Sequence, residues 1–212
     1  MVEKCDMKHP HLEAVLFDLD GVLVDACDWH YESLNIALVE AGRSPISRDD
    51  HLARFNGLPT RTKLKMLGLE GDEAAAVERG KQRHTLRVIA ERACPMPEKI
   101  ELHRHLKSEG LSIACVTNSI RETAEEMLRR TGQLGLMDLL VTNEDVERNK
   151  PHPDPYLKAM EGFGVEAGRC VCVEDSPNGI RSATASGALL WRVDGVGDVS
   201  IAGWKGWNDG RQ

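Results

Sequence analysis

Five short apolar runs constrain this chain more than any other feature: "AVLF" (14–17), "IACV" (113–116), "LLVT" (139–142), "VCV" (171–173) and "ALLW" (188–191). None alternates with polar residues. A strand with one wet face would alternate, so these runs predict strands buried on both sides, as in a parallel sheet. The segments between the later runs have helical periodicity. "SIRETAEEMLRRTG" sets Ala124, Met127, Leu128 and Thr131 at i, i+3, i+4 and i+7, with Gly132 as a C-terminal stop. "DPYLKAMEGFG" repeats the pattern with Tyr156, Ala159, Met160 and Phe163, opening on Asp154-Pro155, and "SPNGIRSATASG" ends at Gly187. Strands alternating with helices predict an α/β fold with a doubly wound parallel sheet.

The interval from Ala26 to Ala93 breaks the alternation. It contains helix-like blocks ("DWHYESLNIALVEAG", "SRDDHLARFNG", "TRTKLKMLG" and "GDEAAAVERGKQRHTLRVIAERA") and no comparable strand. It is far longer than an ordinary crossover. The expected organisation is therefore an α/β core of residues 1–25 and 94–212 with a small helical cap domain, 26–93, inserted after the first strand. The last stretch, "WKGWNDGRQ", reads as a weakly ordered tail anchored by Trp204 and Trp207.

Polar clusters follow three of the strand-like runs. Asp18 follows "AVLF", Thr117-Asn118 follow "IACV", and Glu174-Asp175 follow "VCV". Open α/β sheets bind ligands outside the carboxyl ends of their strands, so these clusters are expected to converge on one edge. Lys150, in "ERNKPHPDPY", can join them through a loop. Asp18, Asp20, Glu174 and Asp175 would crowd negative charge into one crevice, which is tolerable only with a cation among them or with some of them protonated. Oxygen donors without His or Cys favour a hard ion, and few protein ligands favour Mg²⁺ over Ca²⁺. An EF-hand does not fit "DLDGVLVD", because Val22 stands where a ligand should and Gly21 falls too early. A metal, a lysine and hydroxyl or amide donors at one site suit phosphoryl transfer through a carboxylate nucleophile, with a second carboxylate as general acid/base.

With those four motifs, "DLDGVLVD", "VTNS", "NKPHPDPY" and "VEDSPNGI", the chain resembles the haloacid dehalogenase superfamily over about Glu13 to Trp191. It is similar to the branch with a helical cap that includes β-phosphoglucomutase and phosphoglycolate phosphatase. The resemblance implies Asp18 as nucleophile and Asp20 as general acid/base. It implies Mg²⁺ bound by the Asp18 carboxylate, the Asp20 carbonyl and Asp175, with Glu174 as a ligand or a neighbour supporting one. Thr117 and Asn118 would hydrogen-bond the transferring phosphoryl group, and Lys150 would bridge it to Asp18. A dehalogenase would not be expected to carry Asp20, so phosphoryl transfer is the expected chemistry.

In the cap, His30 matches an entry histidine that contacts the acid/base loop in such relatives, although its helical spacing with Leu34, Leu38 and Ala41 equally suits a packed core residue. "FNGLPTRTKL" resembles their specificity loop. Where some relatives place Arg three residues after the Gly, Thr60 stands here and Arg61 follows. Arg61 and Lys81 are candidate substrate contacts, with a solvated helix face as the alternative. Asp25 is expected to brace the cap hinge. His103 and His105 point different ways on a helix and do not form a metal pair.

Composition sets the outer limits. The net charge of −7 argues against wholesale binding to nucleic acid or an acidic membrane. No apolar stretch approaches the roughly 18 residues a membrane helix needs. The N-terminus "MVEKCDMKHPHLE" has no signal-peptide core. Of Cys5, Cys27, Cys94, Cys115, Cys170 and Cys172, none forms a C-x-x-C pair, and three sit in apolar runs, which fits a reducing cytoplasm. The expectation is a cytoplasmic, Mg²⁺-dependent phosphatase of a small phosphorylated metabolite such as a sugar phosphate. Nothing demands more than a monomer. A phosphomutase shares the same core residues, and a non-catalytic phosphometabolite-binding module is the remaining alternative.

Overall fold

The computed structural model describes residues 11–210; Cys5 and the polar N-terminal residues 1–10, with Arg211 and Gln212, lie outside the described residues. The five apolar runs form strands β1 (Ala14–Phe17), β2 (Ser112–Val116), β3 (Leu139–Val141), β4 (Cys170–Glu174) and β5 (Leu189–Arg192). All pair in parallel, in the order β3-β2-β1-β4-β5. Thr142 and Ala188 fall just outside the strands predicted to contain them.

Both faces of the sheet are covered, and the alternation of side chains decides which helix covers which residue. Val15, Phe17, Ile113, Cys115, Val171 and Val173 share a buried cluster with α5 (Pro97–Ser108), α6 (Arg121–Arg130) and α9 (Ile201–Asp209). Ala14, Leu16, Ala114, Val116, Cys170 and Cys172 share another with α7 (Asp154–Phe163) and α8 (Pro177–Ser186). A fully buried Val, Leu or Phe stabilises by about 1.5–3 kcal/mol relative to an exposed one. Two dry faces therefore explain the missing polar alternation.

The 26–93 interval contains α1 (Cys27–Glu40), α2 (Arg48–Asp50), a π turn at His51–Phe55, α3 (Thr60–Met66) and α4 (Gly71–Arg92). Leu34, Leu38, Phe55, Leu64, Leu69 and Val77 form a third, separate cluster. Helix α4 links the two parts of the molecule, because Val77 lies in this cluster while Ile89 is buried in the main core. Two further contacts seat the cap on the core. Gln82 Nε2 donates to Thr123 Oγ1 at 2.9 Å, and Asn118 Nδ2 to the Gly57 carbonyl at 3.3 Å. Asp25 is exposed; the residue capping α1 is Ala26, which has no side-chain bond to offer.

The expected weakly ordered tail is helical over its described residues as far as Asp209. α9 is started by the Ser200 hydroxyl, which accepts from Gly203 N, and Trp204 is buried. Trp204 and Trp207 stack at 5.5 Å, and both pack against Trp191 at the end of β5. A buried Lys99 donates to the carbonyls of Val196 (2.5 Å) and Val199 (2.6 Å), fixing the turn that leads into the helix.

Candidate active site

The parallel register sets Phe17 level with Cys115 on one side and Val173 on the other. The residues just past that level, Asp18 beyond β1, Thr117 beyond β2 and Glu174 at the end of β4, therefore emerge at one edge. Chain progression across the sheet reverses between β1 and β4, and such a switch point opens a crevice at the strand ends. Asp18 N donates to the Val173 carbonyl at 3.0 Å, which binds the two elements of the crevice together.

Lys150 sits at the bottom. Its buried ammonium donates to Asp18 Oδ1 (2.7 Å), Glu174 Oε1 (2.6 Å) and the Val116 carbonyl (2.7 Å), which uses all three of its protons. Burial works against this charge, but the Asp18 and Glu174 carboxylates outweigh it and raise the Lys150 pKa. Glu174 is also bonded by the Tyr156 hydroxyl at 2.6 Å and the Ser176 hydroxyl at 3.3 Å. Its oxygens are largely occupied, so it supports the cluster more than it reaches outward.

Carboxylate oxygens of Asp18, Glu174 and Asp175 lie within 4.8 Å of one another. Burial raises Asp18 well above the usual carboxylate range, against the pull of Lys150. Asp175 is raised to about 6 by burial and then by Glu174. Asp175 Oδ1 is buried without any hydrogen-bond partner. An orphaned buried oxygen, an all-oxygen donor set and mutually repelling carboxylates together fit a hard divalent cation. Two glycines make room for this cluster. A Cβ on Gly21, at φ +90°, would fall 2.1 Å from Asp175 Oδ2, and one on Gly179 would fall 1.9 Å from the Glu174 carboxylate.

Asp20 is turned away from this group and toward the cap. Its Oδ1 lies 3.0 Å from His30 Nε2, and its Oδ2 accepts from the Ser119 hydroxyl at 3.0 Å. Lys81 Nζ contacts the other ring nitrogen of His30 at 3.1 Å. Burial pushes Asp20 up, but His30 and Ser119 more than offset it and the pKa is lowered. Burial and Lys81 lower His30. Burial and the neighbouring Lys63 bring Lys81 down to about 7.

These groups line a cavity of about 510 Å³ between the core and the cap. Asp18, Asp20, His30, Arg61, Lys81, Asn118, Lys150 and Asp175 all face it. Three residues read from the sequence are otherwise engaged. Thr117 is buried and its hydroxyl accepts from Ser119 N. The Asn118 side-chain oxygen Oδ1 accepts from Lys150 N at 3.1 Å. Arg61, largely exposed, pairs with Glu78 at 3.1 Å. The asparagine thus positions the lysine loop, and the arginine closes the rim. Tyr156, Ser119 and Lys63 were not singled out from the sequence. Ser119 was readable as the last letter of "VTNS", whereas Tyr156 looked like one more core position on its helix.

Comparison with known proteins bears on the whole arrangement. A sequence profile described as "Haloacid dehalogenase-like hydrolase" matches residues 15–193. A phosphorylated carbohydrates phosphatase of Thermotoga maritima is 31% identical over 188 residues, covering 87% of this chain and 85% of the relative. Hexitol phosphatase A of Escherichia coli is 32% identical over 191 residues, covering 87% and 84%. The crystal structure of β-phosphoglucomutase from Clostridium difficile superposes with a TM-score of 0.81 at 20% identity, covering 94% of this chain and 98% of that one. At that identity the likeness speaks for the fold alone.

Proposed function

This chain belongs to the haloacid dehalogenase-like hydrolases and is a phosphoric monoester hydrolase, and from that premise we propose that it hydrolyses a small sugar phosphate through an aspartyl-phosphate on Asp18. The observation that carries this reading is the separate handling of two carboxylates two positions apart. Asp18 is held by Lys150 on the core side, and Asp20 by His30 and Ser119 at the cap. One is placed to bond to phosphorus and the other to manage a proton.

In the first step an Asp18 carboxylate oxygen attacks phosphorus and the ester P–O bond breaks. The Asp20–His30 pair enters this step carrying one added proton, which the leaving oxygen takes through Asp20, leaving the carboxylate ionised beside His30 Nε2 at 3.0 Å. In the second step water attacks phosphorus, the bond to Asp18 breaks, and Asp20, held ionised by His30, accepts the water's proton. Lys150 holds Asp18 in one orientation throughout. Asp18, Asp175 and the Asp20 carbonyl would hold Mg²⁺, with Glu174 in support; when bound, the ion supplies positive charge against the phosphoryl oxygens. The cap encloses the cavity and restricts it to small substrates. We place the enzyme in the cytoplasm, acting as a monomer.

Hydrolysis is preferred to phosphomutase action because Thr60 occupies the position of the relatives' sugar-phosphate arginine and Arg61 is tied to Glu78. Phosphorus-31 NMR with a sugar 1-phosphate separates the two. Steady release of inorganic phosphate is expected. A catalytic exchange between sugar phosphate isomers without net release would overturn the reading.

The cation is tested without turnover. The folded pKa of Asp175 is raised to about 6, so its stabilising contribution is complete below the ordinary carboxylate value and lost as the pH climbs through about 6. Added Mg²⁺ should restore it by pairing with the ionised carboxylate, and protons should compete with the metal. The expected result is a rise in melting temperature with Mg²⁺ at ~pH 8 that shrinks at ~pH 5. A melting curve indifferent to Mg²⁺ at both values would remove the metal from the scheme.

A further inference from the structure

One cation facing the cavity has no partner in the chemistry above. Lys63 lies on α3 in the cap, is 6% exposed, and lines the cavity together with Asp18, Asp20, His30 and Lys81. Its ammonium makes no hydrogen bond or ion pair with any described residue, although Arg43, Arg48, Arg54, Arg61 and Arg87 each have a carboxylate. The acid closest in its electrostatic surroundings is Asp20, whose two oxygens are already taken by His30 and Ser119. The other groups around Lys63 are His51, His30 and Lys81, which repel it when charged, and the Cys27 thiol. Burial lowers its pKa to about 8, so it remains largely charged at neutral pH.

A largely buried ammonium without an anionic partner costs free energy that an incoming anion would recover. Lys150 already serves the reacting end, where it is saturated by Asp18, Glu174 and a carbonyl. Lys63 comes instead from the cap side of the cavity, on the element that carries Thr60, Arg61 and Thr62 into the same space. We infer that Lys63 pairs with a second anionic group, a carboxylate or a further phosphate, at the end of the substrate remote from the phosphoryl group that is cleaved. The inference rests on the phosphatase reading and narrows it: the substrate is a small phosphomonoester with two anionic ends.

The test compares kcat/KM within matched pairs that differ only in the remote group. 3-Phosphoglycerate against glycerol 3-phosphate exchanges a carboxylate for a hydroxymethyl group. Fructose 1,6-bisphosphate against fructose 6-phosphate adds a second phosphate. A charge-assisted hydrogen bond in an enclosed site discriminates by ~10- to 100-fold, so the wild-type enzyme should favour the anionic member of at least one pair by that factor. The pair that shows the preference identifies the carboxylate or the phosphate as the recognised group. Lys63→Met, similar in length and uncharged, should collapse the ratio toward one, and Lys63→Arg should restore part of it. The ratio is insensitive to how much of the variant is folded, and the wild-type preference needs no variant. A wild-type enzyme that favours neither anionic member overturns the inference, as does a ratio that survives Lys63→Met. p-Nitrophenyl phosphate distinguishes these failures from that of the parent reading: its hydrolysis leaves the phosphatase reading standing, and its absence removes both.

Discussion

Asp18→Asn should abolish turnover and leave the protein at least as stable as the wild type. Asn has nearly the same shape but offers no anionic oxygen to phosphorus, and removing the nucleophile from a catalytic group that acts as a unit costs about 10⁴-fold or more in kcat. The stability half follows from electrostatics. Burial raises the Asp18 pKa well above the ordinary range even with Lys150 2.7 Å away, so the ionised form is disfavoured by folding. The sign is that of a raised carboxylate: stability is full below the ordinary value and lost as the pH rises through the folded one. A neutral amide removes that loss at neutral pH, while Lys150 keeps Glu174. The measurement is phosphate release from p-nitrophenyl phosphate beside thermal melts without added metal. A variant that turns over as well as the wild type would end the aspartyl-phosphate scheme. A variant that melts well below it would show the carboxylate to be structural.

What could be read from the chain, and what could not, divides by how local the physics is. Val15, Phe17, Val171 and Val173 are buried on one face and Ala14, Leu16, Cys170 and Cys172 on the other. An unbroken apolar run says that much without knowledge of any partner. Because strand ends in such a sheet share an edge, Asp18, Glu174 and Lys150 could be brought together on paper, and they meet within 2.7 Å. The helix Ile201–Asp209 escapes the sequence for a non-local reason. Gly203 and Gly206 weaken helix propensity, but a Cβ on Gly203 would come 2.0 Å from the Asp198 carbonyl, and Trp191 offers a surface for both later tryptophans. Tertiary packing overrides the local signal there. Lys63 is hidden in "TRTKLKM", where alternating charge resembles a solvated helix; its burial shows only in the folded chain. Tyr156 fits its apolar stripe, and its hydroxyl becomes informative only once Glu174 is beside it.

The Lys150→Met substitution makes the sharpest use of that buried trio. The wild-type lysine has a raised pKa, so its stabilising contribution is complete at neutral pH and disappears only when the pH rises above the ordinary lysine value. Removing the charge leaves two buried carboxylates, Asp18 and Glu174, facing one another. Breaking a buried ion pair from one side typically costs 3–5 kcal/mol, that is, about 3–5 kcal/mol of the folding free energy here. The deficit should shrink as the solution is acidified, because protonating either carboxylate removes the repulsion that the lysine had neutralised. Urea melts at ~pH 8 and ~pH 5 would therefore show a larger loss at the higher pH. Adding Glu174→Gln to Lys150→Met should recover part of the stability, since it removes one of the stranded charges. It should not recover activity, because the Asp18 nucleophile still lacks the group that orients it, and losing such a preorganised donor costs about 10²–10³-fold in kcat. Lys150→Arg should not rescue either property, as a planar guanidinium cannot reproduce three donors at 2.6–2.7 Å within the volume of an ammonium. Equal destabilisation at both pH values would mean that Lys150 acts through packing against the Tyr156 ring, 4.7 Å away, and not as the counter-charge that makes an acidic catalytic centre compatible with a folded core.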